Sequence, residues 1–365
     1  MSQPYVFYQW FDELMKQMSC LSKPQARVLA MFSMGVARAR ACTLRKVSER
    51  LGMFGKPDTV ERRLQRFLSN PGLDVAACSR QFASWVVSAM GPSKMVVLLV
   101  DETSLKDRLK LMAVSLAYHG RAIPLAWRSY PQTNWPMRQV ALVQTLVANI
   151  SVPEGTAVLV EADRGIGTSP ELIRAVQRMG YYFLFRVQSQ VRLVLEDGRR
   201  VKFGELIRER GGRFSGPVYA FKKAGWLRCW AVGQWAPEHD EPWLLLTNWP
   251  EAQGNDYGLR MWQELAFRDF KSFGWQWERS RVWQPRRADL MWLVMALAYV
   301  WVLSMGTLVA THPDLSRELS RGRQRRHSLF SLGLAYFDRW LDLGRHMLYH
   351  LCLSPTIPGP AKIVV

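Results

Sequence analysis

The sequence predicts an α/β protein with buried parallel strands, preceded by a helical region and interrupted by a β-rich segment. A continuous apolar run, 95–100, and a second, largely apolar run, 157–162, each lead directly into an aspartate. Runs of this kind are typical of strands that are buried on both faces of a sheet. Helix-like segments surround them, and the pattern changes to short strands and turns over 188–248.

The net charge points to nucleic acid as the partner. The chain has 365 residues, enough for two or three domains, and carries 49 Lys and Arg against 30 Asp and Glu, a net charge of +19. A surplus this large needs a polyanionic partner or an anionic surface. Arginine predominates among the basic residues, which favours forked contacts with phosphate.

Cysteine spacing bears on the cellular compartment. The five cysteines are scattered and include no C-x-x-C pair. This spacing fits neither a disulfide framework nor a zinc site, and it indicates a reducing environment. The first residues also lack the basic start and apolar stretch of a signal peptide. We therefore expect a cytoplasmic protein.

The first 92 residues are predicted to be helical. Helical periodicity covers 24–40, 43–51 and 60–68, with a glycine-containing turn before the last segment. That segment carries Arg62, Arg63 and Arg66. Two short helices around such a turn resemble a DNA-binding helix-turn-helix. A helical bundle with a solvated basic face explains the pattern equally well, and the net charge favours DNA contact.

The α/β pattern continues on both sides of the second apolar run. Strands are predicted over 111–119, 121–129 and 181–187, and helices over 138–150 and from Thr168 or Ser169 to Met179. In the β-rich segment, strands are predicted over 191–195, 199–203, 218–221 and 227–235.

The apolar segment 290–310 has two interpretations. Its 21 residues are long enough to span a bilayer. However, it contains Ser304, Gly306 and Thr307, and basic sequence lies on both sides. A helix buried in a large α/β core is therefore the preferred interpretation, and a membrane-anchored basic protein is the alternative.

Four polar residues are predicted to share one helix face. Tyr257, Arg260, Glu264 and Lys271 are separated by two, three and six residues. At about 100° per residue they fall on one stripe, while the opposite face is apolar. A carboxylate beside an arginine, a lysine and a phenol suits a phosphate and metal site. Arg260 and Glu264 also fit an ordinary i,i+4 pair on a solvated face.

Three carboxylates complete the candidate site. Asp101 and Asp163 each end an apolar strand, where ligands gather in open α/β sheets. Glu264 lies on a helix that can dock against that sheet. Three such groups suit two Mg²⁺ ions about 3.5–4 Å apart, which support in-line displacement at phosphorus. A lone aspartate at a strand end is more often a turn or N-cap residue, so the prediction rests on the combination.

The chain resembles the DDE transposases of bacterial insertion sequences. More narrowly, it is similar to the Tn five-like group, marked by Y-x2-R-x3-E-x6-K, which Tyr257, Arg260, Glu264 and Lys271 match at every spacing. Asp101 and Asp163 match the two upstream acids. The resemblance covers about 93–311 and implies a ribonuclease-H-like (retroviral-integrase-like) core.

The resemblance also implies roles for further residues. Trp243, in the segment Trp-Leu-Leu-Leu-Thr, would stack on a flipped base, although Trp249 competes and a structural role is equally open. Tyr257, Arg260 and Lys271 would hold phosphates beside the scissile bond, with Arg164 adding a contact or serving as a surface arginine. The interval between Trp243 and Glu264 is shorter than in Tn five-like relatives, which leaves the base-flipping geometry open.

The expected function is cut-and-paste transposition. A homodimer would bind terminal inverted repeats in double-stranded DNA, cleave the transposon ends with two Mg²⁺ ions, and join the 3′-hydroxyl to target DNA. Mn²⁺ is expected to substitute for Mg²⁺, and no membrane is involved. The alternatives are a ribonuclease-H-like nuclease without strand transfer and a domesticated, non-catalytic DNA-binding protein.

These expectations divide the chain into five regions. They are a helical DNA-binding domain (1–92), the first part of the core (93–187), a β-rich insertion (188–248), the second part of the core (249–311), and a basic C-terminal helical region (312–365). The last contains a basic run at 321–326 and a predicted helix over 329–351.

Overall fold

The structure is a computed structural model that describes residues 3–133, 139–319, 327–343 and 350–356. Within these ranges ten strands form one mixed sheet. The strands are β1 Met95–Leu105, β2 Leu109–Tyr118, β3 Arg121–Pro131, β4 Ala157–Ala162, β5 Tyr182–Arg186, β6 Arg192–Leu195, β7 Arg200–Lys202, β8 Arg213–Ala220, β9 Leu227–Gln234 and β10 Trp243–Thr247.

The α-helices lie before the sheet, between its strands and after it. They are α1 Gln3–Gln17, α2 Lys23–Ala39, α3 Leu44–Glu49, α4 Pro57–Leu68, α5 Val75–Ala89, α6 Gln139–Ala148, α7 Arg164–Gly167, α8 Pro170–Arg178, α9 Met261–Arg268, α10 Pro285–Thr311, α11 Pro313–Leu319 and α12 Leu329–Leu343. Three predicted features lie wholly or partly outside the described residues: Arg138, the basic run 321–326, and 344–349 of the last predicted helix.

The strand order confirms the predicted fold class. It runs β3-β2-β1-β4-β5-β10-β9-β8-β6-β7. The first three strands form antiparallel hairpins, whereas β4 is parallel to β1 and β5 is parallel to β4. Three antiparallel strands followed by two parallel ones, with connecting helices, make a mixed α/β core of the ribonuclease-H-like kind. A helical region precedes it, as predicted.

The first strand is longer than its apolar run indicates. Asp101 was expected to end this strand, and that expectation was wrong, because β1 continues to Leu105. Beyond Val100 it pairs only with β2, in a hairpin whose register joins Asp101 to Ala113. Cross-strand pairing thus extends the strand past the point where the hydrophobic run stops. Asp101 still marks the end of the parallel pairing with β4.

The β-rich segment extends the core sheet. β10 returns beside β5 in antiparallel register, and β9, β8, β6 and β7 follow outward from it. The loop that leaves β10 therefore starts beside the parallel strands of the core. This arrangement delivers the segment containing Tyr257 to the same sheet face as the two aspartates.

The apolar helix α10 lies inside the protein. Side chains from Leu290 to Met305 are buried almost without exception at 0% exposure. The helix is long and apolar enough to cross a bilayer. However, 89% of its most apolar 18-residue stretch is buried inside the protein. Trp301 stacks on Trp10 of α1 with ring centroids 4.5 Å apart. The helix therefore joins the helical region to the sheet.

Two cysteines that are distant in sequence meet in the helical region. The Sγ atoms of Cys20, after α1, and Cys78, on α5, are 3.3 Å apart. The sequence offered no signal for this contact, because the residues are 58 positions apart. Burial raises the pKa of the Cys42 and Cys229 thiols to about 12.

Candidate catalytic site

Asp101 and Asp163 lie side by side at the end of the parallel pairing. The last paired residues of β1 and β4 are Val100 and Ala162, and each aspartate directly follows one of them in the chain. Neighbouring strands are about 4.8 Å apart, which brings the two carboxyl groups into one neighbourhood. Asp163 is also the N-cap of α7, where its Oδ1 accepts a hydrogen bond from the backbone N–H of Ile166 (3.0 Å).

Arg260 joins these two aspartates to Glu264. Its Nη2 lies 3.1 Å from Asp101 Oδ2 and 3.7 Å from Asp163 Oδ2. Its Nη1 lies 2.6 Å from Glu264 Oε1. All three carboxylates therefore contact a single guanidinium, although they are far apart in sequence. The Arg260 side chain is only 18% exposed.

The segment that carries Arg260 and Glu264 is not the single α-helix predicted from its periodicity. A 3₁₀ helix covers Gly254–Arg260, α9 follows, and a π-helix covers Asp269–Phe273. Because 3₁₀ winding has three residues per turn, Tyr257 and Arg260 lie on the same side, toward the sheet. The predicted stripe presenting all four residues is therefore wrong in its details: Tyr257 is buried at 4% exposure.

Tyr257 and Lys271 have different surroundings. We call Asp101, Asp163 and Glu264 the acidic cluster. Tyr257 packs with Leu159 and Leu245 in a small apolar cluster that is separate from the main core. Lys271 is half-buried in the π-helix. Burial lowers the pKa of Lys271, whereas the charges of Glu278 and Asp101 oppose that shift. The opposing charge of Asp101 shows that Lys271 lies within electrostatic range of the site.

Electrostatics in the cluster favour a cation. Burial raises the pKa of Asp101 to about 6; Arg260 opposes the rise, and Asp163 and Glu264 add to it.

Glu161, two residues before Asp163, was missed by sequence analysis. It is fully buried, and neither carboxyl oxygen has a hydrogen-bond partner among the described residues. Burial raises its pKa well above the usual value, and Asp256 contributes to the rise.

Trp243 is the first residue of β10. Its ring meets Tyr257 edge to face, with centroids 5.4 Å apart. His239 stacks on Trp243 at 4.5 Å with an interplanar angle of 29°. Trp243 is half-buried, and an aromatic ring from its own chain covers part of it. Trp249 contacts Tyr182 at 6.3 Å.

Arg164 and Arg186 share one carboxylate in the loop before β10. Arg164 Nη1 lies 2.8 Å from Glu241 Oε2, and Arg186 Nη2 lies 2.6 Å from Glu241 Oε1. Arg186 was missed by sequence analysis, which had no means of placing the end of β5 beside Asp163. In the β9–β10 loop, His239 thus covers part of Trp243, and Glu241 pairs with two arginines.

The three arginines of the helix-turn-helix-like region do not share one environment. α3, a 3₁₀ turn at Gly52–Phe54 and α4 form the predicted pair of short helices around a turn. Arg62 and Arg66 are exposed and line one cavity. Arg63 instead turns toward α2, with its Nη1 3.9 Å from the Met31 sulfur.

The donor chemistry of the cluster fits a divalent cation. Carboxylate oxygens are the ligands that Mg²⁺ prefers, and Asp101, Asp163 and Glu264 supply them from three separate elements. As arranged here they surround the guanidinium of Arg260. Among the described residues, no group of three or more His, Cys, Asp or Glu side chains is arranged to hold a metal ion.

Comparison with known families agrees with this geometry. The family model described as "Transposase DDE domain" matches residues 137–301. The match includes Asp163, Glu264 and the strands between them, and Asp101 precedes it. Residues 137–301 therefore contain a transposase DDE domain. A search of curated proteins found no match.

Proposed function

We propose that this protein is a DDE transposase that performs cut-and-paste transposition, binding terminal inverted repeats, cleaving the transposon ends and joining the 3′-hydroxyl to target DNA. The observation that carries this proposal is the contact of one guanidinium with Asp101, Asp163 and Glu264. Carboxylates brought together in this way repel one another unless a cation or a bound proton offsets their charge. DDE transposases generally use divalent metals, which fits this donor set.

In this proposal the three carboxylates hold two Mg²⁺ ions, with Mn²⁺ able to substitute. The ions, when bound, supply an activated water or hydroxyl nucleophile and stabilise the leaving oxygen. Arg260 and Lys271 bind the phosphodiester next to the scissile bond and hold it for in-line attack. Tyr257 supports that position by packing with Leu159 and Leu245 and against Trp243.

Trp243 is proposed to receive a base displaced from the duplex. A base that leaves the duplex loses its stacking on neighbouring bases, and the face of an indole ring can replace it. Stacking of a base on an aromatic side chain is worth about 1–3 kcal/mol. His239 now covers part of that ring, so a base must displace or join it. Arg164 is proposed to contact DNA after its release from Glu241. The same arrangement makes Arg186 an additional candidate contact.

The decisive experiment is Glu264→Gln. The variant removes one charge from the cluster but keeps the side-chain volume. Cleavage of a duplex carrying terminal repeats should fall by at least about 100-fold in Mg²⁺, because metal and transition-state contacts are lost. Binding of the same duplex, measured by fluorescence anisotropy, should change little. Unchanged cleavage would remove Glu264 from the site.

The matched control is Glu251→Gln, which alters an exposed carboxylate after β10. It should cleave like the parent protein. Products must then be examined for joining to target DNA. Cleavage without joined product favours a nuclease, and binding without cleavage in the parent protein favours a non-catalytic DNA-binding protein.

The proposed assembly is a homodimer on paired transposon ends. In such a synaptic complex, one subunit cuts the end that is bound mainly by the other. Light scattering with and without repeat-bearing duplex tests this, and a complex with one protein chain per pair of ends would contradict it.

A further inference from the structure

An open pocket between the helical region and the core is lined by hydrogen-bond donors. Arg62, Gln65 and Arg66 contribute from α4, Ser69 from the position directly after it, and Arg287 from the first turn of α10. The pocket has a volume of about 770 Å³. Gln65 and Arg66 lie three and four residues after Arg62, so the three α4 residues share one helix face. We call Arg62, Arg66 and Arg287 the arginine groove.

The charges of the groove are not neutralised by the protein. Within the described ranges, none of its three arginines forms an ion pair with a carboxylate. The Nε of Arg287 is buried and has no hydrogen-bond partner among the described residues. Nearby Arg45 is different, because it contacts Glu49 at 2.9 Å and Asp58 at 2.5 Å.

The geometry of the groove is held by a separate arginine. Arg286 Nη2 donates to the carbonyl oxygens of Asn70 (2.8 Å), Pro71 (2.9 Å) and Leu73 (2.9 Å). These bonds tie the start of α10 to the chain that leaves α4. Arg287 is therefore set opposite the exposed face of α4 rather than placed by a flexible linker.

Bringing three cations to the start of a long helix is costly unless an anion is present. The first turn of α10 contains no acidic residue, although the positive end of a helix dipole favours one. Guanidinium, amide and hydroxyl donors in a concave site are the groups that hold phosphate oxygens. Since neither α4 nor α10 supplies the anion, an external ligand satisfies the groove best.

We propose that the arginine groove binds the phosphodiester backbone of duplex DNA. The inference rests on the proposed function and adds to it a binding surface shared by the helical region and the catalytic core. DNA bound there would contact α4 and α10 at the same time. The core would thus contribute to binding as well as to cleavage, through Arg287.

The test is the salt dependence of binding to a labelled duplex of arbitrary sequence. Each phosphate contact contributes about 0.9 to the slope of log affinity against log salt concentration. Arg287→Ala should therefore reduce the slope by about 0.9 between about 50 and 200 mM KCl. The double variant Arg62→Ala with Arg66→Ala should reduce it by about 1.8. The double variant alters only exposed side chains, so it tests the groove even if Arg287→Ala folds poorly.

The matched control is Arg199→Ala, which removes one positive charge from the β6–β7 turn, where Arg199 pairs with Asp197. Its slope should equal that of the parent protein. Equal slopes for the control and all groove variants would overturn the proposal. A second combination of results would also overturn it: phosphate stabilises the parent protein against heat, Arg287→Ala abolishes that stabilisation, and duplex binding stays unchanged. This combination would indicate a site for a free anion. Cleavage is not measured, so failure of the transposition proposal would leave this result interpretable.

Discussion

At the residue scale, Arg260 decides between the two interpretations of its pairing with Glu264. A solvated i,i+4 pair would leave both side chains largely exposed. Glu264 is 48% exposed, but Arg260 is 18% exposed and also contacts Asp101 and Asp163. Its charge stabilises carboxylates that would otherwise repel one another. Arg260 thus contacts the acidic cluster and is not a simple surface residue.

Asp289, in the second turn of α10, provides a pH-dependent prediction. Burial raises its pKa to about 7, although Oδ1 accepts a 2.6 Å hydrogen bond from the Ser129 N–H. An unfolded aspartate has a pKa of about 3.9. The unfolded chain thus loses this proton at a lower pH than the folded protein, so stability falls progressively as pH rises from about 4 to about 7. Asp289→Asn should gain stability relative to the parent protein across this window, by a few kcal/mol in total.

Melting temperatures of the two proteins between pH 4 and pH 8 measure this effect. Asp107→Asn, which changes an exposed aspartate in the β1–β2 turn, is the control and should show no such trend. A difference between parent and Asp289→Asn that does not vary with pH would contradict the prediction.

At the element scale, the signature segment owes its geometry to a change of winding. Periodicity over 257–271 predicted one α-helix. This segment contains no proline and no two adjacent glycines that would indicate a change of helix type. The structure has 3₁₀, α and π turns in succession. π turns are rare and frequently occur at functional sites, and here one carries Lys271. The spacing was informative about which residues cooperate but not about how the backbone presents them.

The crossing of α10 and α12 depends on two glycines. A Cβ on Gly333 would lie 1.9 Å from the Val302 carbonyl oxygen, and one on Gly306 would lie 1.9 Å from that of Leu329. Gly333→Ala should therefore destabilise the protein by about 3 kcal/mol or more, because backbone atoms must move apart. The melting temperature measures this loss.

Gly52→Ala is the matched control for this substitution. No atom lies within 4 Å of a Cβ at Gly52, and its backbone is not in the left-handed region. Its melting temperature should stay close to that of the parent protein. An equal response of the two variants would mean that α12 does not pack as described.

At the scale of the whole molecule, the sheet and α10 explain how a chain with a net charge of +19 has a large apolar core. α10 packs between α2, α5 and α12 and against β3, so its apolar length is used inside the protein. We predict that the chain stays in the aqueous fraction after cell lysis without detergent. Sedimentation with lipid, released only by detergent, would support the membrane-anchored alternative.

Much of the fold and the core of the site followed from local patterns. Apolar runs predicted β1 and β4 because strands buried on both faces need continuous hydrophobic side chains. The signature spacing singled out Arg260 and Glu264 with their partners. Sequence could not predict that β1 continues past Asp101, since cross-strand pairing with β2 determines that length. Glu161, Arg186 and Arg287 were also missed, because their importance comes from burial and from neighbours distant in the chain.

The sequence by itself therefore determined the α/β class, the excess of positive charge and the acidic and basic residues of the candidate site. These depend on composition and on near-neighbour spacing, which the chain carries in any conformation. Only the tertiary structure decided that one guanidinium contacts all three carboxylates, that His239 covers Trp243, and that Arg287 faces α4. Such contacts join elements far apart in sequence, so their geometry exists only after the sheet and α10 have assembled.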